Sequence, residues 1–316
     1  MTIKFKKIFL IITCVFAILN SWSQDAPLSQ YYHNLFFVNP AYAGTTGANR
    51  ISGFYRNQWP LSESNFKTYN IAYDQAINKY NSGFGVLVTS DNSGIFTSVS
   101  IDMAYSYKVV LPYGLTVNMG LQGGVVQKYK NVNEIRFENN AEFISGGLNK
   151  IYPDFAIGGV GFFKNIYIGL SVHHLNKPKL ANNGSTDSRV NMKLTGQLGY
   201  IIDFNTSLVK QERVLMPNIL IQQQGFQQNI TWGAVFQYDF ILGGLMVRHN
   251  ILSNFDVLIF SAGFKTSKMR IAYSYDMNIG KKTSVPLGAH EIALTLLYNK
   301  EKKKKYKALG CPSFLE

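Results

Sequence analysis

Alternation of apolar and polar residues with a period of two runs through most of the chain and divides the residues the same way each time. Tyr69, Ile71 and Tyr73 alternate with Thr68, Asn70, Ala72 and Asp74; Val99, Ile101, Met103, Tyr105 and Tyr107 alternate with Ser98, Ser100, Asp102, Ala104 and Ser106. Leu115, Val117, Met119 and Leu121 oppose Thr116, Asn118, Gly120 and Gln122, and the division returns over 192–200, 231–239 and 268–276. Successive side chains of a strand point to opposite faces, so each segment predicts a strand with one greasy and one small or polar face. Fourteen strands are expected, at 51–59, 67–76, 82–90, 96–109, 114–127, 154–163, 165–174, 191–203, 213–222, 227–240, 242–250, 255–264, 267–277 and 288–300.

An all-β chain of this length has two main solutions. A soluble sandwich turns its apolar faces into a shared core and closes a domain near ~100 residues, but no linker or composition break divides this chain. A transmembrane antiparallel β-barrel turns the apolar face to lipid, gathers aromatics at the two interfaces and keeps a polar lumen. Tyr73, Tyr107, Tyr200, Tyr238, Tyr275 and Tyr298, at strand ends, suit such girdles. The long gaps, 128–153, 175–190 and 278–287, all follow odd-numbered strands and so fall on one side, while most other gaps are tight turns. Short periplasmic turns and long outer loops are usual for this class, so both termini are expected in the periplasm.

Composition narrows this picture. Lys4, Lys6 and Lys7 precede the apolar run Ile8–Leu19, and Ser21-Trp22-Ser23 offers a small-x-small cleavage site: residues 1–23 read as a signal peptide and the mature chain is expected to start near Gln24. Residues 24–50 then form a periplasmic or plug segment, 51–300 the barrel, and 301–316 a basic periplasmic tail. Loss of the leader removes Cys14 and leaves Cys311 alone, which excludes an internal disulfide. Charged residues are 16% of the chain, against roughly 25% in ordinary soluble domains. The formal charge of +13 does not indicate nucleic acid: three charges lie in the leader and a net +5 sits in Lys300–Lys307, where Tyr306 is the only interleaved aromatic.

Candidate chemistry is sparse. His173-His174 invites a metal, but alternation aims His173 inward and His174 outward, so they cannot share an ion. Gly158, Gly159 and Gly161 lack the helix a phosphate loop needs, Asp91-Asn92-Ser93-Gly94 lacks the rest of a calcium loop, and no serine sits in a nucleophile elbow. No enzyme activity, cofactor or metal is expected. Alternation aims Asp74, Asp102, Lys193, Asp239, Arg270, Asp276 and Glu291 into the lumen, which implies either a wet pore or internal ion pairs. If the lumen is plugged, Gln30–Gly44 is the segment to do it, because it is aromatic-rich, lacks alternation and precedes the first strand.

Ordered blocks carry a resemblance. Ser29-Gln30-Tyr31-Tyr32 and Val38-Asn39-Pro40-Ala41-Tyr42-Ala43-Gly44 open it; Tyr55-Arg56-Asn57-Gln58-Trp59-Pro60, Tyr73-Asp74-Gln75, Pro153-Asp154-Phe155, Ser171-Val172-His173-His174-Leu175, Tyr273-Ser274-Tyr275-Asp276 and His290-Glu291-Ile292 follow. Together they resemble the PorP/SprF family over residues from about 25 to the last strand. The resemblance implies an outer-membrane component of the Bacteroidetes type IX secretion system, assisting secretion or surface anchoring of adhesins, including gliding-motility proteins. Its implied partners are the C-terminal domain of a secreted adhesin, other translocon components and outer-membrane lipid, with no nucleic acid. Within the blocks, Gln30, Tyr31, Tyr32, Asn39, Pro40, Tyr42, Gly44, Arg56, Gln58, Trp59, Asp74, Asp154, His173, His174, Asp276, His290 and Glu291 are the candidates for contacting a partner or seating a plug. The alternative left open by the polar lumen is a diffusion channel or a transporter of hydrophobic solutes.

Overall fold

The computed structural model describes residues 25–60, 62, 65–130, 149–180, 189–205, 212–251, 255–279 and 288–298. The proposed leader and the lysine-rich tail with Cys311 lie outside these residues. Antiparallel strands dominate: β1 (Asn49–Gln58), β2 (Phe66–Ile77), β3 (Ser82–Ser93), β4 (Phe96–Val110), β5 (Leu115–Lys130), β6 (Asn149–Phe163), β7 (Ile166–His173), β8 (Lys193–Tyr200), the two-residue β9 (Ile202–Asp203), β10 (Arg213–Gln224), β11 (Gln227–Tyr238), β12 (Ile241–Asn250), β13 (Phe255–Lys265), β14 (Met269–Asn278) and β15 (Ala289–Tyr298).

Apart from β9, which pairs with β10 alone and lets β8 pair with β10, each strand pairs with its sequence neighbours, and β1 pairs with β15 from Asn49↔Tyr298 to Gln58↔Ala289. β9 continues β8 along β10, through Leu215↔Ile202, so the wall is a closed barrel of fourteen strands with one extra two-residue strand. Closure leaves no unpaired edge, the condition for β-structure to sit in lipid. Most expected strand boundaries fall within a few residues of those observed. The largest difference is β6, which starts at Asn149 rather than 154 because Pro153 lies inside the strand opposite Val125 instead of ending it.

Hydrophobic burial is inverted. Ile71, Leu121 and Leu170 are 66, 63 and 66% exposed on the outside, while Asp74, Ser274 and Glu291 are essentially inaccessible inside. An apolar outer face around a polar interior is stable in hydrocarbon and not in water. The strand ends joined by the long β5–β6, β7–β8 and β14–β15 connections share one end of the barrel with the β1–β2 strand ends; the tight turns at 78–81, 111–114, 164–165, 239–240 and 266–268 share the other.

The interior holds the N-terminal segment. A 3-10 turn (Tyr31–His33), a one-turn helix α1 (Leu35–Val38) and a second 3-10 turn (Pro40–Tyr42) fold it compactly. Asn39 starts the last turn, its Oδ1 accepting from Ala41 N at 2.9 Å, with Pro40 at the first turn position, where no amide is needed. Tyr31, Leu35, Phe36, Ala41 and Tyr42 are buried against inward side chains of the wall, among them Phe54, Leu87, Tyr167, Leu220, Met246 and Ile259, and this interface is the main hydrophobic core.

The direction of the segment corrects the expectation that both termini share a side. Asn49 and Tyr298 do lie together at the short-turn end. Asp25, however, is bonded to Gln224 and Lys193 at the long-loop end, while Gly44 is bonded to Asp74 at the opposite end. Residues 25–48 therefore run the length of the lumen.

Candidate functional site

Strand parity delivers a ring of polar side chains to the inner wall, and the segment supplies their partners. Near the long-loop end, Arg56 on β1, Arg248 on β12, Asp276 on β14 and Glu291 on β15 converge on Ser29 and Gln30. Ser29 N and Gln30 N donate to the two Glu291 carboxylate oxygens at 2.9 and 2.8 Å, and Gln30 Nε2 donates to Glu291 O at 2.9 Å. Arg56 donates to Ser29 Oγ, Asp276 Oδ2 and Glu291 Oε2 at 2.7, 2.8 and 3.1 Å. Arg248 donates to Leu28 O, Ser29 Oγ and Asp276 Oδ2 at 2.9, 2.8 and 3.2 Å. Two guanidinium groups against two carboxylates form a balanced network, and its burial makes each member costly to remove.

Further along the lumen, Tyr31 donates to Asn218, and Tyr32 donates to Ser261 at 2.8 Å. Asn39 Nδ2 donates to Gly159 O and Leu170 O, each at 3.1 Å, and Tyr42 donates to Gln197 at 2.9 Å. At the short-turn end, Gly44 N donates to Asp74 Oδ2 at 2.8 Å, and Arg50 clamps both oxygens of Asp74 at 2.7 and 3.1 Å.

Glycines let the backbones come this close. Gly44 has φ +67°, a conformation that favours glycine, and a Cβ there would sit 2.4 Å from Gln75 O. A Cβ on Gly158 would lie 2.0 Å from Asn39 Oδ1, and one on Gly120 2.3 Å from Ala41 N. Gly158 on β6 and Gly120 on β5 are thus the points where the wall makes room for the segment.

The long-loop end opens into a cavity of about 680 Å³. Gln58, the last residue of β1, and Trp59 after it lie on its lining, as do Phe37, Phe66, Phe96, Tyr152, Asp102, Asp154, His173 and His174. His174 overturns the outward placement expected from alternation: β7 ends at His173, and His174 takes φ +57°, which turns its ring inward to within 2.9 Å of Asp154 Oδ2 and 3.2 Å of Asp25 Oδ2. Burial alone would lower its pKa, but the two carboxylates outweigh it and His174 is pushed up to about 10. Asp25, which burial would raise, is held well below the usual carboxylate range by Lys193 and His174.

Two further sequence-based placements change or sharpen. Asp239 is not in the lumen; it has φ +52° in the β11–β12 turn and is exposed. His290 faces outward, where Tyr273 Oη lies 2.6 Å from its Nδ1 and the Tyr275 ring centroid 5.1 Å away. The candidate residues therefore divide among the lumen network, the cavity and, for His290, the outer surface. Sequence reasoning did not single out Arg50, Asn218, Gln197 or Arg248 as partners of the segment. Arg248 stands at an inward position of β12, two residues after the buried Met246, and that parity was its available signal.

A closed antiparallel barrel with an apolar outside, sealed edges and long loops at one end is a transmembrane barrel of the outer-membrane class. Among solved structures, the "CymD monoaromatic hydrocarbon channel" is similar at a TM-score of 0.50 and 8% identity, over 83% of this chain and 91% of that one. The Acinetobacter baumannii outer membrane protein Omp33 gives a TM-score of 0.46 at 9% identity, over 81% of this chain and all of that one. A comparison with curated protein sequences finds no significant match. The profile of the family described as type IX secretion system membrane protein PorP/SprF matches residues 20–296, and the chain belongs to that family. It is an outer-membrane β-barrel of the type IX secretion system.

Proposed function

We propose that this barrel is a non-enzymatic accessory of type IX secretion that assists the export or surface anchoring of an adhesin-type protein, gliding-motility proteins among them, by binding the C-terminal domain of that protein beside the other translocon components. The observation that carries the reading is the lumen: the chain's own residues 25–48 fill it and take up most of the family-motif residues, Gln30, Tyr31, Asn39, Tyr42, Gly44, Arg56, Asp74, Asp276 and Glu291 among them. A pore for free diffusion needs an unobstructed lumen; a docking platform needs a rigid barrel with a shaped mouth. The cavity at the long-loop end, lined by Trp59, Phe66, Phe96 and Tyr152 beside charged groups, has the mixed apolar and polar character of a protein-recognition surface.

Deletion of the gene tests this. Loss of one class of surface adhesin with unchanged permeability to small solutes is the expected result. Unchanged surface proteins would overturn the reading.

A further inference from the structure

Inside the cavity, the hydrogen-bonding groups do not balance. Asp102 on β4, Gly124 on β5 and Asp154 on β6 are register partners, so the two carboxylates flank a residue without a side chain. A Cβ on Gly124 would lie 2.1 Å from Asp102 Oδ1, so that carboxylate leans over the glycine. Gln122, two residues along the same inner face, hydrogen-bonds Asp102 and leaves its own Oε1 without a partner. Asp154 Oδ1 is likewise unpartnered. Both side chains are more than nine-tenths buried, and both line the cavity.

What surrounds this spot is therefore rich in acceptors and short of donors. Three of the bases on the cavity lining are committed: Lys193 donates to Asp25 at 3.1 Å, Lys128 faces Asp25 and Asp91, and His174 sits against Asp154 Oδ2, the other oxygen of that carboxylate, while His173, whose ring nitrogens are unpartnered, is the register partner of Lys193 and not of Asp102 or Asp154. Ser100 donates to Asp102 Oδ2 at 2.9 Å and leaves Oδ1 turned over Gly124. Buried acceptors in this number are costly unless a donor fills the space, and a planar, multiply donating cation satisfies several at once. The same cavity carries the rings of Phe37, Trp59, Phe66, Phe96 and Tyr152, which suit an apolar body attached to that cation.

We propose that the Asp102–Gly124–Asp154 pocket receives a guanidinium or ammonium side chain, arginine before lysine, from a polypeptide segment whose flanking apolar residues pack on the cavity aromatics. The choice of a polypeptide over a free amine rests on the secretion role argued above; the cationic character of the ligand rests only on the pocket.

The test is calorimetric titration of the purified full-length barrel in detergent with three peptides: acetyl-Phe-Arg-Phe-amide, its citrulline counterpart and its glutamate counterpart. The arginine peptide is expected to bind saturably at one site. The citrulline peptide, nearly the same shape without the charge, is expected to bind at least tenfold more weakly, and the glutamate peptide not at all. Asp102→Asn with Asp154→Asn is expected to weaken the arginine peptide at least tenfold, with folding checked by heat-dependent gel mobility. Gln122→Leu, which removes the unpartnered Oε1 together with the amide group that bonds Asp102 and changes no charge, supplies a second, milder loss. Equal binding of the arginine and citrulline peptides, or an unchanged double variant, would overturn the proposal. Tight binding of free arginine amide comparable to the peptide would assign the pocket to a small amine and overturn the polypeptide part. A failed titration alongside a gene deletion that still strips adhesin from the surface would remove this inference and leave the secretion reading standing.

Discussion

Replacement of Glu291 by alanine probes how firmly the lumen segment is held. Glu291 accepts from Ser29 N, Gln30 N and Arg56 and is essentially fully buried. Alanine leaves two backbone donors without partners, at about 1–3 kcal/mol each, and unbalances a buried ion cluster, for which loss of one member costs about 3–5 kcal/mol. These effects overlap in one network and are not additive, so about 3–5 kcal/mol is the working figure for release of the segment relative to the barrel. At about 1.4 kcal/mol per decade, this corresponds to roughly a hundred- to several-thousand-fold loss of amide-exchange protection across residues 28–44. The measurement is hydrogen exchange by mass spectrometry, with β3 and β4 as internal references that should not change. Glu291→Gln keeps one acceptor oxygen and is expected to fall between wild type and alanine. If the alanine variant is folded and protection over 28–44 stays within tenfold of wild type, the network does not hold the segment and the reasoning fails.

The Asp25 anchor should depend on pH at both extremes. His174 is raised from its ordinary 6.5 to about 10, so its contribution is complete below about 6.5 and is lost as pH climbs through about 10. Asp25 is lowered, so its contribution is complete above its ordinary 3.8 and is lost as pH falls through its lower folded value. Intrinsic-rate-corrected exchange at Ala26 should therefore be slowest between about pH 4 and 6.5, and His174→Gln should remove the loss of protection between about pH 6.5 and 10, with Lys193 still paired to Asp25; a flat wild-type profile would contradict this pairing. Leu121→Arg, on the exposed outer face, should cost about 2–4 kcal/mol of barrel stability in a lipid unfolding titration if that face meets the bilayer midplane, whereas a neutral effect would mean it does not. Gly158→Leu places side-chain atoms where Asn39 lies and should raise exchange over 38–44 without unfolding the wall; unchanged exchange would mean that the close approach is not needed.

Most of the wall was legible in the sequence because a single rule governs it. Where outward residues meet lipid and inward ones are polar, the period of two fixes the face of every strand residue, and β-hairpin neighbours pair in order. The rule fails where one residue adopts a left-handed backbone. His174 and Asp239 both do so at strand ends, and each leaves the face that simple counting assigns it. The strand expected from 154 starts at Asn149, and the missing amide of Pro153 is tolerated within it. The composition of 30–44 marked it as a lumen filler if one exists, but nothing local to the segment encodes its direction. That direction comes from contacts between residues more than 150 positions apart, such as Asp25 with Gln224 and Lys193 with Asp25. The acceptor-rich pocket was invisible for the same reason, because Asp102 and Asp154 become neighbours only through the β4–β5–β6 register.

The filled lumen separates a docking barrel from a channel, and planar-bilayer conductance tests it most directly. The purified full-length protein is predicted to be electrically silent, and a variant lacking residues 25–44 to form a steady pore of the width a fourteen-stranded barrel allows. A steady open conductance from the intact protein would contradict the account.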